Sequence, residues 1–373
     1  MATASASLTT KAPVLLRARN FRWYWNSAAD PSASDQNWQK YTDVDNEIIE
    51  DGLKAHQSIV ELDCHRIIDL KNNVQCNKNE RNRPRPIKRV ELKEDRSNTH
   101  PREERFSFPI TLAPASSTSH ATNDDKIALY LGNGQFTKAY AYLHIEPEEK
   151  TVADVVEEAS QGIIKEGATL GKEKEAQWLA DQLRIVKHFG DNLLTSIWTD
   201  IPLQVGETCV HLYTKESFWY RLINQTLRQC RTVTSEQVKN IGPFCYLLHK
   251  HLEKNPTTDV LTTYRGLTLT DEERKAFMKE TMTFTAFTST SRSRVQAEQF
   301  GDTLFIIDFN VKCNIGNQNQ NVRCVTQISN LSDFPSEDEV LVWPWRVFHF
   351  VKDEFDSVKK KHVVYLKSAA SNY

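Results

Sequence analysis

Val60, Leu62 and Cys64 alternate with charged residues, the period-two pattern of a half-buried strand. The stretch from Phe21 to about Leu92 is aromatic at first and strand-like afterwards. Further along the period changes. Ala176, Leu179, Ala180, Leu183 and Val186 recur at helical spacing and predict an amphipathic helix within a helical block. A second helix is predicted from about Glu216 to Gln229, with Trp219, Leu222, Ile223 and Leu227 as its apolar stripe. Tyr220, Asn224 and Arg228, each four apart, share another face of it. From Leu261 onward strand-like runs dominate: YRGLTL, TFTAFTSTS, TLFIIDF and EVLVWPW. Thr270 with Glu273 and Ser293 with Gln296 read as capping boxes, and Gly301 stands where a C-terminal cap belongs. No internal repeat is visible.

Between the two regions, residues 93 to 125 are rich in charge, Ser and Thr and carry no apolar period, so they read as a linker. The division expected is a flexible lead over 1–19, a small domain over 20–95, a linker over 96–125 and a larger domain over 126–370. The chain has 373 residues and a formal net charge of only -2, so no global field calls for nucleic acid or a membrane surface as partner. Seven scattered cysteines, with no C-x-x-C pair, give neither a zinc site nor a closed disulfide framework. No leader-like apolar run opens the chain and none is long enough to span a bilayer, so an intracellular location, cytoplasmic or nuclear, is expected.

Three pieces in the last third carry chemistry. Tyr264-Arg265-Gly266 ends one strand-like run, Ser289-Thr290-Ser291 ends another, and Glu337-Asp338-Glu339 precedes a third. Arginine offers a forked cation for pyrophosphate or ribose oxygens. If the Glu-Asp-Glu segment is extended, Glu337 and Glu339 point the same way and Asp338 opposite. Paired carboxylates suit a reaction in which positive charge develops on a sugar carbon. Each piece alone is generic: a strand end, a polar strand edge, a solvated loop. Their order and context are not.

Arg265, then Ser289-Thr290-Ser291, then Glu337-Asp338-Glu339 after ISNLSDFPS resembles the arginine-specific mono-ADP-ribosyltransferase family. The likeness extends upstream to HLYTKESFWYRLINQTLRQ. It implies a co-substrate, NAD, and a reaction that moves ADP-ribose to a protein arginine and releases nicotinamide. By position, the resemblance assigns Arg265 to the pyrophosphate and nicotinamide ribose and the backbone of Gly266 to the nicotinamide amide. A glycine there suits a close ligand approach. Ser289 is assigned to the ribose and to orienting the catalytic carboxylate, Glu339 to the ribose 2′-hydroxyl and the oxocarbenium ion, and Glu337 to the acceptor guanidinium. Asn224 and Arg228 match positions near the adenosine and phosphates. Nicotinamide, a pyridinium while bonded to the ribose, leaves as a neutral ring, so the resemblance implies that no general acid is required, and no metal is needed. No GxGxxG follows a strand, so a Rossmann mode of NAD binding is not supported.

The first region holds Trp23, Tyr24, Trp25, Trp38, Tyr41 and Glu50, then Asp69-Leu70 and Val74-Gln75, and closes on KNERNRPRPIKR. On its own this is a small aromatic-cored domain for protein interaction. The landmarks Trp23, Trp38 and Glu50 resemble the WWE domain, some members of which bind the iso-ADP-ribose unit of poly(ADP-ribose). The resemblance places Trp25, Trp38, Gln75 and Arg85 around such a ligand. Arg66 stands where binding members carry a tyrosine.

The fold expected is α+β: a small curved-sheet WWE domain, then a transferase domain with a helical N-terminal part and two packed β-sheets. The partners expected are acceptor proteins with exposed arginine and, through the WWE domain, poly(ADP-ribose), without direct binding of nucleic acid or membrane. Two other readings stay open: an NAD glycohydrolase, and an inactive module that binds NAD or ADP-ribose.

Overall fold

The computed structural model describes residues 21–28, 37–80, 83–92, 130–131, 135–196, 199–229, 232–311, 313–315, 318–320 and 324–372. The lead expected over 1–19 and the linker expected over 96–125 lie outside them.

The N-terminal module is one sheet wrapped on one helix. Strands β1 (Phe21–Asn26), β2 (Trp38–Lys40), β3 (Ile59–Leu62), β4 (Arg66–Asp69), β5 (Val74–Asn77) and β6 (Arg85–Glu91) pair in the order β2-β1-β6-β5-β4-β3. Helix α1 (Asp43–Lys54) starts at Thr42, whose side chain accepts from the Asp45 N–H. Trp23, Tyr41, Ile49, Val60, Leu62, Ile68 and Ile87 form the core. The alternation read at Val60 and Leu62 is the inward face of β3; Cys64 falls past its end, in a left-handed turn with His65. Two of the landmark residues meet directly: Trp23 Nε1 donates to Glu50 Oε1 at 2.6 Å. Arg89 closes the same carboxylate through two bonds of 2.7 and 3.0 Å. Removing one partner of such a buried, paired charge costs about 3–5 kcal/mol, so these residues hold the module together.

A helical layer follows: α2 (Phe136–Tyr140), α3 (Val152–Thr169), α4 (Glu173–Ile185), α5 (Leu203–Thr214), α6 (Phe218–Arg228) and α7 (Ser235–Lys254). The stripe Ala176, Leu179, Ala180, Leu183 and Val186 is fully buried, as its spacing predicts. In α6, Trp219, Ile223 and Leu227 are likewise buried and Ser217 caps the first turn.

The C-terminal strands are β7 (Thr262–Leu267), β8 (Thr281–Phe284), β9 (Thr288–Ser291), β10 (Thr303–Asp308), the ribbon β11 (Cys313–Ile315) and β12 (Gln318–Gln320), β13 (Val325–Gln327), β14 (Glu339–Val342), β15 (Arg346–Asp356) and β16 (Lys361–Ser368). Outside the ribbon their order is β13-β14-β9-β7-β10-β16-β15-β8, with β10 and β16 parallel. Where two packed sheets are expected, these strands form one eight-stranded sheet, whose three-strand and five-strand parts join through the pair Tyr264–Ser291. The run TFTAFTSTS is not a single strand. It splits at Thr285-Ala286-Phe287, and its halves pair at distant places, β8 with β15 and β9 with β14. Periodicity cannot see this break, because all three linking residues are buried like their neighbours. Short helices α8 (Asp271–Ala276) and α9 (Arg294–Ala297) begin where predicted, with a reciprocal capping box at Thr270–Glu273 and a Ser293 cap on the Gln296 N–H. Gly301 follows α9 with φ +53°.

The module docks on the helical layer. Helix α4 has no side-chain cap of its own. Asp63 supplies one from the first module, accepting the N–H of Lys174 at 2.8 Å and of Glu175 at 3.0 Å. Trp178 Nε1 donates back to Asp51 at 3.1 Å.

Candidate active site

Strands β14, β9 and β7 lie side by side, so the topology brings Glu339, Ser289 and Arg265 onto three neighbouring strands. Arg265 is buried, and its Nη1 donates to the Ser289 carbonyl at 2.6 Å. Burial lowers its pKa to about 10; the Arg228 charge acts in the same direction, while Tyr220, Tyr213 and Glu339 oppose it. It therefore remains a cation at neutral pH.

Every residue of β9 is buried. Alternation puts Ser289 and Ser291 on one face and Thr290 on the other. Thr290 Oγ1 donates to the Val340 carbonyl at 2.8 Å and Ser291 Oγ to the Glu337 carbonyl at 2.7 Å. The Ser289 hydroxyl is buried and has no hydrogen-bond partner among the described residues. A buried hydroxyl in that state costs free energy until something supplies a partner.

The geometry expected for Glu337 and Glu339 is corrected. Glu337 ends a 3-10 turn (Pro335–Glu337), Asp338 is left-handed with φ 46° and ψ 49°, and only Glu339 begins the strand. The segment is therefore not extended, and the two carboxylates are not related by a strand's period of two. The cause lies in the neighbours: Pro335 opens a tight turn, and Gln327 Nε2 holds the Asp338 carboxylate at 3.1 Å. Glu337 and Glu339 are both buried, Glu339 completely.

Gly266 is glycine for a packing reason. A Cβ there would collide with the backbone carbonyls of Ala297, the last residue of α9, and of Phe300 just beyond it. From the helical layer, α6 brings Asn224 and Arg228. Asn224 Nδ2 donates to Tyr213 Oη and to the Tyr220 carbonyl, both at 3.0 Å, so its amide fixes the aromatic wall. Burial lowers the pKa of Arg228. That wall was not read from the sequence. Tyr213 packs edge-on against Tyr220, with ring centres 5.1 Å apart, and against Phe287 at 5.6 Å. The shared helical face of Tyr220, Asn224 and Arg228 was the available signal for Tyr220. Phe287, between β8 and β9, is the aromatic that precedes the Ser289-Thr290-Ser291 run, whereas Tyr213, on α5, carries no such signal. A buried cation, buried carboxylates and an aromatic wall in one place can receive a polar, anionic ligand and stabilise a positive centre formed within it.

In the N-terminal module, Gln75 and Arg85 are paired across β5 and β6. Gln75 Oε1 accepts from Tyr41 Oη at 2.8 Å, and Arg85 donates to the Asn26 and Ala28 carbonyls. Trp25 packs against the module core. Trp38 stacks under Lys88, whose Nζ lies 4.1 Å from the ring centre. Arg66 bonds to Asp45 at 2.9 Å and to the Asp63 carbonyl at 3.1 Å, which ties it to the residue that caps α4. Among the described residues no group of three or more potential metal ligands occurs, and no helix is long and apolar enough to cross a membrane.

Comparison with known proteins gives two domain-level matches. The model of the NAD:arginine ADP-ribosyltransferase family matches residues 203–373, and that of the WWE domain matches residues 21–89. No curated protein matches the chain. Among solved structures, the type III effector XopAI from Xanthomonas axonopodis pv. citri is similar at 13% identity over 65% of this chain and 98% of that one, with TM-score 0.43. The ADP-ribosyltransferase HopU1 of Pseudomonas syringae pv. Tomato is similar at 16% identity over 68% and 100%, with TM-score 0.37. Exoenzyme S from Pseudomonas aeruginosa is similar at 18% identity over 45% and 75%, with TM-score 0.35.

Proposed function

We propose that this chain, a WWE domain followed by a domain of the NAD:arginine ADP-ribosyltransferase family, transfers ADP-ribose from NAD to arginine side chains of acceptor proteins. The observation that carries the reading is the juxtaposition of completely buried Glu339, buried Arg265 and the unpartnered Ser289 hydroxyl on adjacent strands. A buried hydroxyl without a partner, on the residue whose carbonyl Arg265 holds, is available to a ligand that can complete its hydrogen bonding.

The division of labour follows from charge. Arg265, with Arg228 near it, takes the negative pyrophosphate; a planar guanidinium can grip two oxygens at once. Ser289 completes its hydrogen bonding on the ribose. Glu339 accepts the ribose 2′-hydroxyl and stabilises the cation that grows on the anomeric carbon as nicotinamide leaves. One such preorganised group is worth about 3 kcal/mol or more in the transition state. Glu337, on the separate turn, faces the acceptor and orients its guanidinium nitrogen, whose very high pKa demands a nearby carboxylate. Gly266 lets β7 and α9 close behind the nicotinamide. Asn224 acts by fixing Tyr213, which walls the site.

A second reading concerns the WWE domain: it binds the iso-ADP-ribose unit of poly(ADP-ribose) through Trp25, Trp38, Gln75 and Arg85. The adjacency of Gln75 and Arg85 on paired strands favours it. The full chain incubated with labelled NAD and agmatine tests the main reading. ADP-ribosyl-agmatine is the expected product; free ADP-ribose alone makes the protein a glycohydrolase.

A further inference from the structure

The side chain of Lys215 has no solvent exposure, although it lies between two domains. Its Nζ sits 2.7 Å from Asp333 Oδ2 and 3.4 Å from Glu47 Oε1. Glu47 belongs to α1 of the WWE domain; Asp333 lies two residues before the Pro335–Glu337 turn. A second contact runs in parallel. Arg22, on β1, lies over the Phe334 ring at 5.8 Å and pairs with buried Asp43 at 3.0 Å. Asp43 also accepts the Glu216 N–H at 2.8 Å. A third hold comes from below, where His211 Nδ1 is 2.7 Å from the Leu331 carbonyl. Residues 331, 333 and 334 are thus gripped in succession, two of them by the WWE domain directly or through Lys215.

We propose that the Glu47–Lys215–Asp333 bridge is a positioning device through which the WWE domain sets the turn carrying Glu337, and thereby the enzyme's ability to use an arginine acceptor. A mere tether between domains needs no buried lysine. Apolar residues of the same volume would join the surfaces without the desolvation cost of three charges. What an ion bridge adds is direction: it holds Asp333 at one distance from α1, and the chain has only Phe334, Pro335 and Ser336 in which to relax before Glu337. The WWE domain is then part of the catalytic unit. The inference rests on the arginine-transfer reading for its catalytic consequence, while the mechanical coupling stands without it.

Full-length Glu47→Ala, Lys215→Met and the double variant test it, each first shown to unfold cooperatively. The ratio of agmatine transfer to NAD cleavage should fall at least about fivefold in Glu47→Ala, with KM for NAD within about twofold. The double variant should be no worse than Lys215→Met, because both changes break one linkage. Hydrogen exchange read on residues 328–338 should quicken in Glu47→Ala, a change remote from that segment in sequence. Unchanged exchange overturns the proposal even in a chain that cleaves no NAD. Equal loss of transfer and cleavage, or additive effects in the double variant, also overturns it. An unmodified chain inactive toward NAD, with exchange responding as expected, overturns the arginine-transfer reading instead.

Discussion

Ser291 Oγ donates to the backbone carbonyl of Glu337 at 2.7 Å, so the strand that carries Ser289 also pins the turn that carries Glu337. The same oxygen accepts the Ser293 N–H at 3.0 Å. Ser291→Ala leaves that buried carbonyl and N–H without this partner, at a cost of about 1–2 kcal/mol. Agmatine transfer should fall more than NAD cleavage, because the turn loosens while Ser289 and Arg265 stay in place. Parallel assays of the two products check this; equal losses would mean that Ser291 serves the strand alone.

Arg265→Lys keeps a positive charge and loses the fork. A lysine can donate to the Ser289 carbonyl, but it cannot also hold two phosphate or ribose oxygens in one plane. KM for NAD should rise at least about tenfold, the worth of one charge-assisted contact. Steady-state kinetics decide the point, and unchanged KM and kcat would reduce Arg265 to a structural role.

Glu175 gives a pH dependence with a defined sign. It is buried at the start of α4, and its Oε1 accepts the Phe218 N–H at 2.8 Å, capping the helix that carries Arg228. Burial pushes its pKa up to about 7, against the opposing pull of that hydrogen bond. The folded state therefore holds a proton that the unfolded chain releases near pH 4.5. The stability this group contributes is complete below about pH 4.5 and is lost as pH rises to about 7, by roughly 3 kcal/mol in all. Glu175→Gln keeps an acceptor and removes the titration. In urea unfolding it should match the parent near pH 4.5 and exceed it at pH 8. A variant less stable at pH 8 would show that the ionised carboxylate is the better cap.

The WWE reading predicts that the full chain binds iso-ADP-ribose more tightly than ADP-ribose, and that Arg85→Ala weakens this. Arg66 is committed to Asp45 and the Asp63 carbonyl, at the joint with α4. Arg66→Tyr should therefore lower thermal stability without strengthening binding. Calorimetry and thermal melts on the full chain give both answers, and no detectable heat with iso-ADP-ribose would leave a protein-interaction domain.

Much of this was legible in the chain. The inward stripe of α4 and the cap at Thr270 rest on local spacing; Trp23 and Glu50 stand out as landmark residues, while their hydrogen bond is seen only in the structure. The contacts that escaped are those between residues far apart in sequence. Asp63 capping α4 from another domain, Lys215 reaching Glu47 and Asp333, and Tyr213 meeting Phe287 leave no periodic trace. The Glu-Asp-Glu geometry was misread for a local reason. A three-residue pattern fits a strand, but Pro335 and the left-handed Asp338 make a turn of it.

On the proposed mechanism the two glutamates serve different partners from different elements, Glu339 from a strand and Glu337 from a turn. The direct measurement is the yield of ADP-ribosyl-agmatine and of free nicotinamide from labelled NAD for Glu337→Gln and Glu339→Gln. Glu339→Gln should lose both products while NAD affinity stays within several-fold. Glu337→Gln should lose the agmatine adduct by at least about a hundredfold, the scale of one general-base contribution, and still release nicotinamide. Loss of both products by a similar factor in Glu337→Gln, or near-normal turnover in Glu339→Gln, would contradict it.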